Sequence, residues 1–282
     1  MIIDFHTHTF PEKIAGAALS KLTEASGTVP FTEGTNASLA ESMKRAGIDV
    51  SVVLPVATNP EKVRHINEIS ASLSGKGGLI HFGCLHPCCE DVEAEIKYAA
   101  ALGLKGVKIH PVYQDVAIDD DRFIRILSAC GEAGLAVVTH AGLDIGFPGV
   151  VKCSPKMIRR AIALAGPVTL VLAHMGGWRC WDEVAECVAD TDAYIDTSFS
   201  LGRLVPTGDG RYSDEELEML DGEEFVSIVR ALGADRVLFG TDSPWSDQTK
   251  SVLDILALPL TDAEREKILW ENGARLLGLG AR

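Results

Sequence analysis

The sequence predicts an α/β fold, a (β/α)8 (TIM) barrel, and three observations lead to it. Short apolar runs alternate with segments of helical periodicity along the whole chain. Eight such strand–helix units occupy roughly 250 residues, which is the size of a (β/α)8 barrel. The strands are continuous apolar runs, as in a parallel sheet that is covered on both faces. We therefore expect one barrel domain over residues 1–282.

The eight predicted strands each end at a polar residue or a turn signal. In chain order they are a first strand that begins at Ile2, then Ile48–Val56, Leu79–Leu85, Leu104–Ile109, Leu135–Thr139, Val168–Ala173, Ala193–Asp196 and Arg236–Phe239. A doubly wound sheet is the competing architecture. The first strand is not followed by the G-x-G-x-x-G motif typical of that fold, so we favour the barrel.

Helical segments separate the strands and carry recognisable end signals. Ser38 with Glu41 resembles a capping box at the start of a helix that runs through Ala46. The other predicted helices are Pro11–Ala25 (a short helix or ordered loop), Pro60–Ser74, Asp91–Leu102, Asp119–Glu132, Ser154–Ala165, Trp178–Val188, Glu223–Leu232, one around Ser251 and Thr261–Leu277. A long polar loop follows the seventh strand, and its length is typical of a lid or a site loop.

Composition narrows the classes of partner. The net charge is −14 and no cluster of Lys and Arg occurs, which argues against nucleic acid or an anionic membrane as a partner. Neither a secretory signal nor an apolar run of transmembrane length is visible. Seven cysteines without a C-x-x-C pair indicate small core residues in a reducing compartment. We expect a cytoplasmic protein with a small-molecule substrate, and homo-oligomers remain open.

Polar residues with metal-binding chemistry follow several of the predicted strands. His6 and His8 are one residue apart, so in a strand both imidazoles point to one face and could bind one cation. By itself an H-x-H pair also occurs by chance. His140 and His174 follow the fifth and sixth strands, and Asp242 follows the eighth. Catalytic residues of (β/α)8 barrels collect at these carboxyl ends.

The sequences around these residues are DFHTH, VVTHAG, VLAHMGG and LFGTDSPW. In this order they resemble the amidohydrolase superfamily over essentially the whole chain. More narrowly, they resemble its amidohydrolase-related (amidohydrolase 2) branch of metal-dependent barrel hydrolases, which also contains decarboxylases of the aminocarboxymuconate-semialdehyde type. The resemblance implies that His6, His8, His140 and Asp242 hold one divalent metal ion. It implies that His174 is a catalytic or substrate-polarising histidine just outside that ligand set.

Physical chemistry supports this assignment. Imidazoles with one carboxylate suit Zn²⁺ and leave room for water, whose pKa the ion lowers to about 7. We take Zn²⁺ as the first expectation and Mn²⁺ or Fe²⁺ as alternatives. Asp242 could accept the proton of the water, and His174 could polarise a carbonyl. The expected enzyme is a metal-dependent hydrolase of a small carbonyl substrate, such as an amide, a ring amide or a lactone, with C–N or C–O cleavage.

Three other functions remain open from the sequence. A non-oxidative decarboxylase of a small carboxylic acid could use the same metal site, with His174 as the proton donor. A phosphoesterase of the histidinol-phosphatase type also begins with H-x-H, but it carries an Asp-x-His motif that Asp242 does not provide. A barrel that keeps the site for binding alone is the non-enzymatic alternative.

Further residues at the strand ends are candidates for supporting roles. Lys108 and His110 end the fourth strand. In binuclear members of the superfamily a carbamylated lysine of this strand bridges two metals, but we expect a mononuclear site here. His110 is a candidate substrate contact, and Arg203 in the long loop is a candidate carboxylate anchor. Trp245 would form an apolar wall with Phe10, Tyr113 and Trp178.

Overall fold

A computed structural model describes residues 1–280 and contains nine parallel strands that follow the chain order around a barrel. The strands are β1 (Ile3–Thr7), β2 (Val50–Val53), β3 (Leu79–His81), β4 (Gly83–Cys84), β5 (Gly106–Ile109), β6 (Ala136–Thr139), β7 (Leu170–Leu172), β8 (Tyr194–Asp196) and β9 (Val237–Leu238). One sheet joins β1, β2 and β3, and the other joins β4 to β9. The (β/α)8 fold is confirmed.

The third predicted strand is interrupted, which explains why nine strands replace eight. Phe82 separates β3 from β4, and its N–H donates to Val53 O at 3.0 Å. The other seam lies between β9 and β1, where the N–H of Phe5 donates to Phe239 O at 2.7 Å. The N–H of Asp242 also donates to His6 O at 2.8 Å. These bonds hold the carboxyl ends of the first and last strands side by side.

Helices surround the strands. They are α1 (Glu12–Ser26), α2 (Asn36–Ala46), α3 (Val63–Leu73), α4 (Val92–Ala101), α5 (Asp121–Glu132), α6 (Pro155–Ala165), α7 (Val184–Val188), α8 (Asp214–Leu217), α9 (Gly222–Leu232), α10 (Gln248–Ala257), α11 (Asp262–Glu266) and α12 (Asn272–Leu277). Short 3-10 segments and a π-helical turn, Lys267–Glu271, lie between these elements. Within residues 1–280 no helix is both long and apolar enough to cross a membrane.

Two apolar clusters stabilise the barrel. The larger lies between the strands and the helix layer, where α5 contributes Phe123, Ile126 and Leu127. The smaller draws on strands from all around the barrel, including Phe5, and fills its interior. Burial of these side chains is the main favourable term in folding. The interior therefore forms a rigid base beneath the carboxyl ends of the strands.

The start of helix α2 differs from the sequence prediction. The N-cap of α2 is Thr35, whose side chain accepts from the N–H of Ser38, while Ser38 Oγ accepts from the N–H of Thr35. The predicted start at Ser38 was wrong because Ser38 is the third helical residue of this capping box. The segment predicted as a helix or an ordered loop over residues 11–25 is helix α1. It precedes α2, the first helix of the barrel layer.

Candidate functional site

The carboxyl ends of the strands open into a cavity of about 870 Å³. It brings together seven of the eight predicted site residues, all except Arg203, and Lys108. Lining this cavity are His6, His8, Lys108, His110, His140, His174, Asp242 and Trp245. The predicted aromatic neighbours Phe10, Tyr113 and Trp178 line it as well.

One group in this cavity has the geometry of a cation site. His6 Nε2 and His8 Nε2 are 3.1 Å apart. Asp242 Oδ1 lies 3.4 Å from the first nitrogen and 3.1 Å from the second. These three ligand atoms can therefore reach one ion.

The hydrogen bonds behind the two rings determine which nitrogens carry protons. His6 Nδ1–H donates to Asp196 Oδ2 at 2.7 Å, and His8 Nδ1–H donates to Leu54 O at 2.7 Å. Because both partners are acceptors, each neutral ring keeps a lone pair on Nε2. Such a second partner is typical of metal-binding histidines. The two lone pairs and the carboxylate of Asp242 form a donor set that fits a divalent cation.

Charge and burial keep this group in the protonation states that a cation requires. Burial, and next the charge of Lys108, lower the pKa of His6 to about 4, so its ring is neutral near pH 7. Burial alone would raise the pKa of Asp242, but the close approach of the His8 and His6 rings to its carboxylate lowers it to about 2. Burial also opposes ionisation of Asp196, yet His6 holds its pKa well below the ordinary range.

The backbone at the end of β9 places Asp242 against β1. Asp242 has a φ of 65°, in the left-handed region that Asp tolerates better than most residues. Its backbone oxygen accepts from the N–H of Trp245 at 2.8 Å. A Cβ on Gly240 would lie 2.9 Å from His6 Cβ, so only glycine permits this approach.

A second group of potential ligands lies beside the first and contains His110, His140 and Asp144. His110 Nε2 is 3.5 Å from Asp144 Oδ2, and the two imidazole rings stack at 4.4 Å. His140 Nε2–H donates to Leu143 O at 2.9 Å, and its Nδ1 faces His174 Nε2 at 3.1 Å. The structure thus brings three of the four predicted ligands together and directs both nitrogens of His140 to other partners.

His174 is held between the two groups. Its backbone N–H donates to Asp196 Oδ1 at 3.1 Å, and its ring Nδ1 lies 3.0 Å from Ser198 Oγ. A neutral His174 has one ring N–H for two acceptors, Ser198 O at 3.1 Å from its Nδ1 and His140 Nδ1 at 3.1 Å from its Nε2. Ser198 and Asp196 therefore connect the position of His174 with that of His6.

Lys108 and Arg203 occupy very different places. Lys108 is buried, with Nζ 3.4 Å from His6 Nε2. Burial is the main cause that lowers the pKa of Lys108 to about 8. Arg203 is exposed and forms ion pairs with Glu218 and, at 2.5 Å, with Asp214. The structure therefore places Arg203 on the loop surface, away from the residues that line the cavity.

Three further polar residues and one indole bear on the site. Asp196 ends the predicted seventh strand, so the rule that selected the other strand ends could have found it. Ser198 and Asp144 lie in loops and match no spacing pattern. Trp178 lines the cavity, and its buried Nε1–H has no acceptor within residues 1–280.

Comparison with solved structures supports the fold over the full chain. An uncharacterised TIM-barrel protein from Bordetella bronchiseptica matches with 19% identity, a TM-score of 0.74 and coverage of 100% of this chain and 99% of that one. A protein provisionally named a 2-pyrone-4,6-dicarboxylic acid hydrolase, from Pseudomonas putida, matches with 17% identity, a TM-score of 0.64 and coverage of 100% and 98%.

A third similar structure is 5-carboxyvanillate decarboxylase from Novosphingobium aromaticivorans, solved with bound manganese and 3-methoxy-4-hydroxy-5-nitrobenzoic acid. It matches with 13% identity, a TM-score of 0.68 and coverage of 99% of this chain and 97% of that one. A search of curated proteins finds no match. The family model described as amidohydrolase matches residues 3–279. The chain therefore belongs to the amidohydrolase family, as its strand-end motifs predicted.

Proposed function

We propose that the protein is a metal-dependent hydrolase that cleaves a C–N or C–O bond in a small carbonyl substrate. The observation that carries this proposal is the convergence of two Nε2 lone pairs and Asp242 Oδ1 at the cavity floor. His6, His8 and Asp242 would hold one divalent cation, with Zn²⁺ as the first choice and Mn²⁺ or Fe²⁺ as alternatives. His140 would complete the ligand set by turning its Nε2 away from Leu143 O.

The bound cation supplies Lewis-acid activation of water and of a substrate carbonyl. Asp242 Oδ1 faces the two histidines, which leaves the second carboxylate oxygen to accept a proton. General-base catalysis of this kind typically contributes about 10²–10⁴-fold in rate. Asp242 would then return the proton to the leaving group.

The remaining cavity residues orient the substrate. His174 is fixed by Ser198 and by the Asp196 carboxylate, so its Nε2 could face a substrate carbonyl oxygen once His140 has turned toward the cation. His110, Trp178 and Trp245 line the same space. Preorganised donors of this type lower the cost of charge that develops on oxygen during acyl transfer.

The second candidate is a non-oxidative decarboxylase at the same metal site. The structural likeness to a manganese-containing decarboxylase over nearly the whole chain favours it. In that reaction the substrate carboxylate would lie near the cation, and His174 would protonate the carbon that loses CO2. The two candidates use the same ligands and differ in which bond of the substrate breaks.

The test compares both reactions on one preparation. The protein is loaded with Zn²⁺ or Mn²⁺, and amide, ring-amide and lactone hydrolysis is measured beside CO2 release from aromatic and aliphatic carboxylic acids. We expect hydrolysis that disappears in a His6→Ala, His8→Ala double variant. CO2 release without hydrolysis would replace the proposal with the decarboxylase, and metal-independent turnover would contradict both.

A further inference from the structure

The cavity extends beyond the cation site into a space between α1 and α3. Six residues of α1 line it, the apolar Ile14, Ala18, Leu22 and Ala25 and, at the two ends of the helix, Glu12 and Ser26. Its lining also includes four residues in one stretch of α3, which are Ile66, Ile69, Ser70 and Leu73. Apart from Ser70 in α3 and Glu12 and Ser26 at the ends of α1, these side chains are apolar. We call this part of the cavity the side channel.

The spacing of these residues shows that each helix turns one face toward the side channel. Residues 14, 18, 22 and 25 follow the i, i+4, i+8, i+11 spacing of one helical face, and residues 66, 69, 70 and 73 follow i, i+3, i+4, i+7. Amphipathic surface helices normally bury such faces against the core. Here both faces border open space, and Ile14 remains 53% exposed.

Polar and apolar groups are separated along the cavity. The end at the strands carries His6, His8 and Asp242, whereas the side channel presents mostly aliphatic carbon. The exposed residues Lys62 and His65 also line the cavity, which indicates that it reaches solvent beside α3. A ligand that fits this arrangement has a polar reacting group and an apolar tail.

The size of the cavity agrees with a ligand of this shape. At about 870 Å³ it is near the upper end of the range for small-molecule sites, about 300–1,000 Å³. An amide or lactone of a few atoms would leave most of the side channel filled with water. An apolar tail would displace that water and cover the α1 and α3 faces.

We propose that the substrate is an amphiphilic carbonyl compound whose apolar tail of several carbons lies in the side channel between α1 and α3. This rests on the proposed function, because the polar head would lie at the cation site. The occupant is the tail of the substrate because the channel is continuous with the reactive groups and both of its apolar faces belong to one chain.

The test uses two homologous series of straight-chain ligands on the metal-loaded protein. Carboxylates of increasing chain length place their head at the cation, and 1-alkanols report on the apolar channel alone. Calorimetry should show Kd falling by about fourfold for each methylene that leaves water, until the channel is full. An affinity that does not depend on chain length in either series would overturn the proposal.

Two neighbouring alanines of α1 provide a matched pair of variants. Ala18 lines the side channel, whereas Ala17 is exposed and outside the lining. Ala18→Phe should shorten the longest ligand that gains affinity and leave the shortest ligands unchanged. Ala17→Phe should leave the whole series unchanged. If both variants behave alike, or if Ala18→Phe changes only the oligomeric state in gel filtration, the tail does not occupy this channel.

The outcomes separate the channel from the chemistry. Chain-length dependence that Ala18→Phe shortens, in a protein without hydrolytic turnover, supports the side channel and contradicts the hydrolase. Turnover that is equal for short and long acyl substrates, with flat binding of alkanols, supports the hydrolase and contradicts the side channel. A kcat/KM that rises with acyl length in the parent protein and in Ala17→Phe, but not in Ala18→Phe, supports both.

Discussion

The two groups of potential ligands in the cavity differ in the hydrogen bonds that their ring nitrogens form within the protein. In the first group His6 and His8 donate from Nδ1 to Asp196 and to Leu54 O, and both Nε2 atoms point toward Asp242. Because Nδ1 of each ring donates a hydrogen bond, Nε2 of each neutral ring keeps a lone pair. The group is therefore arranged to accept a cation.

In the second group the nitrogens serve the protein itself. His140 donates to Leu143 O and its Nδ1 faces His174 Nε2 at 3.1 Å, and the Nδ1 of His110 accepts from the N–H of Tyr113 at 3.4 Å. His110 then carries its proton on Nε2, which faces the acceptor Asp144. Two groups of similar composition and burial thus differ in which ring nitrogens are free to bind a cation, because the partner of the rear nitrogen sets the tautomer.

The largest expected effect separates the two groups directly. Replacing His6 and His8 together by Ala should reduce the metal content from about one equivalent to background, because one carboxylate does not hold a divalent ion. The control replaces His110 and Asp144 together by Ala and should retain the metal. Elemental analysis after gel filtration gives both values, with circular dichroism to confirm the fold. Equal metal loss in both double variants would contradict the comparison.

A second variant tests whether the partner behind the ring matters as proposed. Asp196→Asn preserves shape but removes the carboxylate that fixes the His6 Nδ1–H. Changes of such partners typically cost about 10–100-fold in metal affinity. Competition with a chelator measures the affinity of the variant and the parent protein. Unchanged affinity would show that Asp196 only supports the fold.

The fold and the first ligand group, His6, His8 and Asp242, could be predicted from the sequence. Parallel strands place their carboxyl ends on one face, so His6, His8 and Asp242 could be grouped without coordinates. The strand pattern also gave the barrel, although the break at Phe82 is a local departure from pairing that apolar composition does not reveal.

The hydrogen-bond partners that distinguish the two ligand groups could not be predicted, because no spacing rule locates the atoms involved. Whether His140 faces the cation site or Leu143 depends on the backbone oxygen of a loop residue three positions away. Every residue has a backbone oxygen, so no sequence pattern identifies this one as the partner. The partnership of Asp196 with His6 spans 190 residues and forms only when the barrel closes. The expectation for Arg203 likewise depended on the path of a long loop, which pairs it with Asp214 and Glu218.

A smaller effect is expected for His140, the predicted metal ligand that lies in the second group. His140→Gln should weaken metal binding less than His8→Gln does, because His140 must first leave Leu143 O and His174 before it can bind an ion. Chelator competition on the two single variants gives the ranking. If His140→Gln loses as much affinity as His8→Gln, the ring reorients fully in the loaded protein.

The smallest effect is expected at Lys108. Its Nζ lies against His6 in a buried position, and we expect it to remain unmodified. Reconstitution with and without bicarbonate should therefore give the same metal content and the same turnover. Two metals per chain in the bicarbonate-treated sample would indicate a carbamylated Lys108 that bridges a second ion.

The most direct test of Asp242 as the proton acceptor is the turnover per bound metal of Asp242→Asn with the metal saturated. Asn keeps the shape of the side chain and one oxygen near His6 and His8, but it removes the charge and the basic oxygen. Metal affinity should decrease, and turnover per bound metal should fall by about 10²–10⁴-fold because the proton acceptor is lost. Unchanged turnover per bound metal would show that Asp242 is at most a ligand and that His174 or another group accepts the proton.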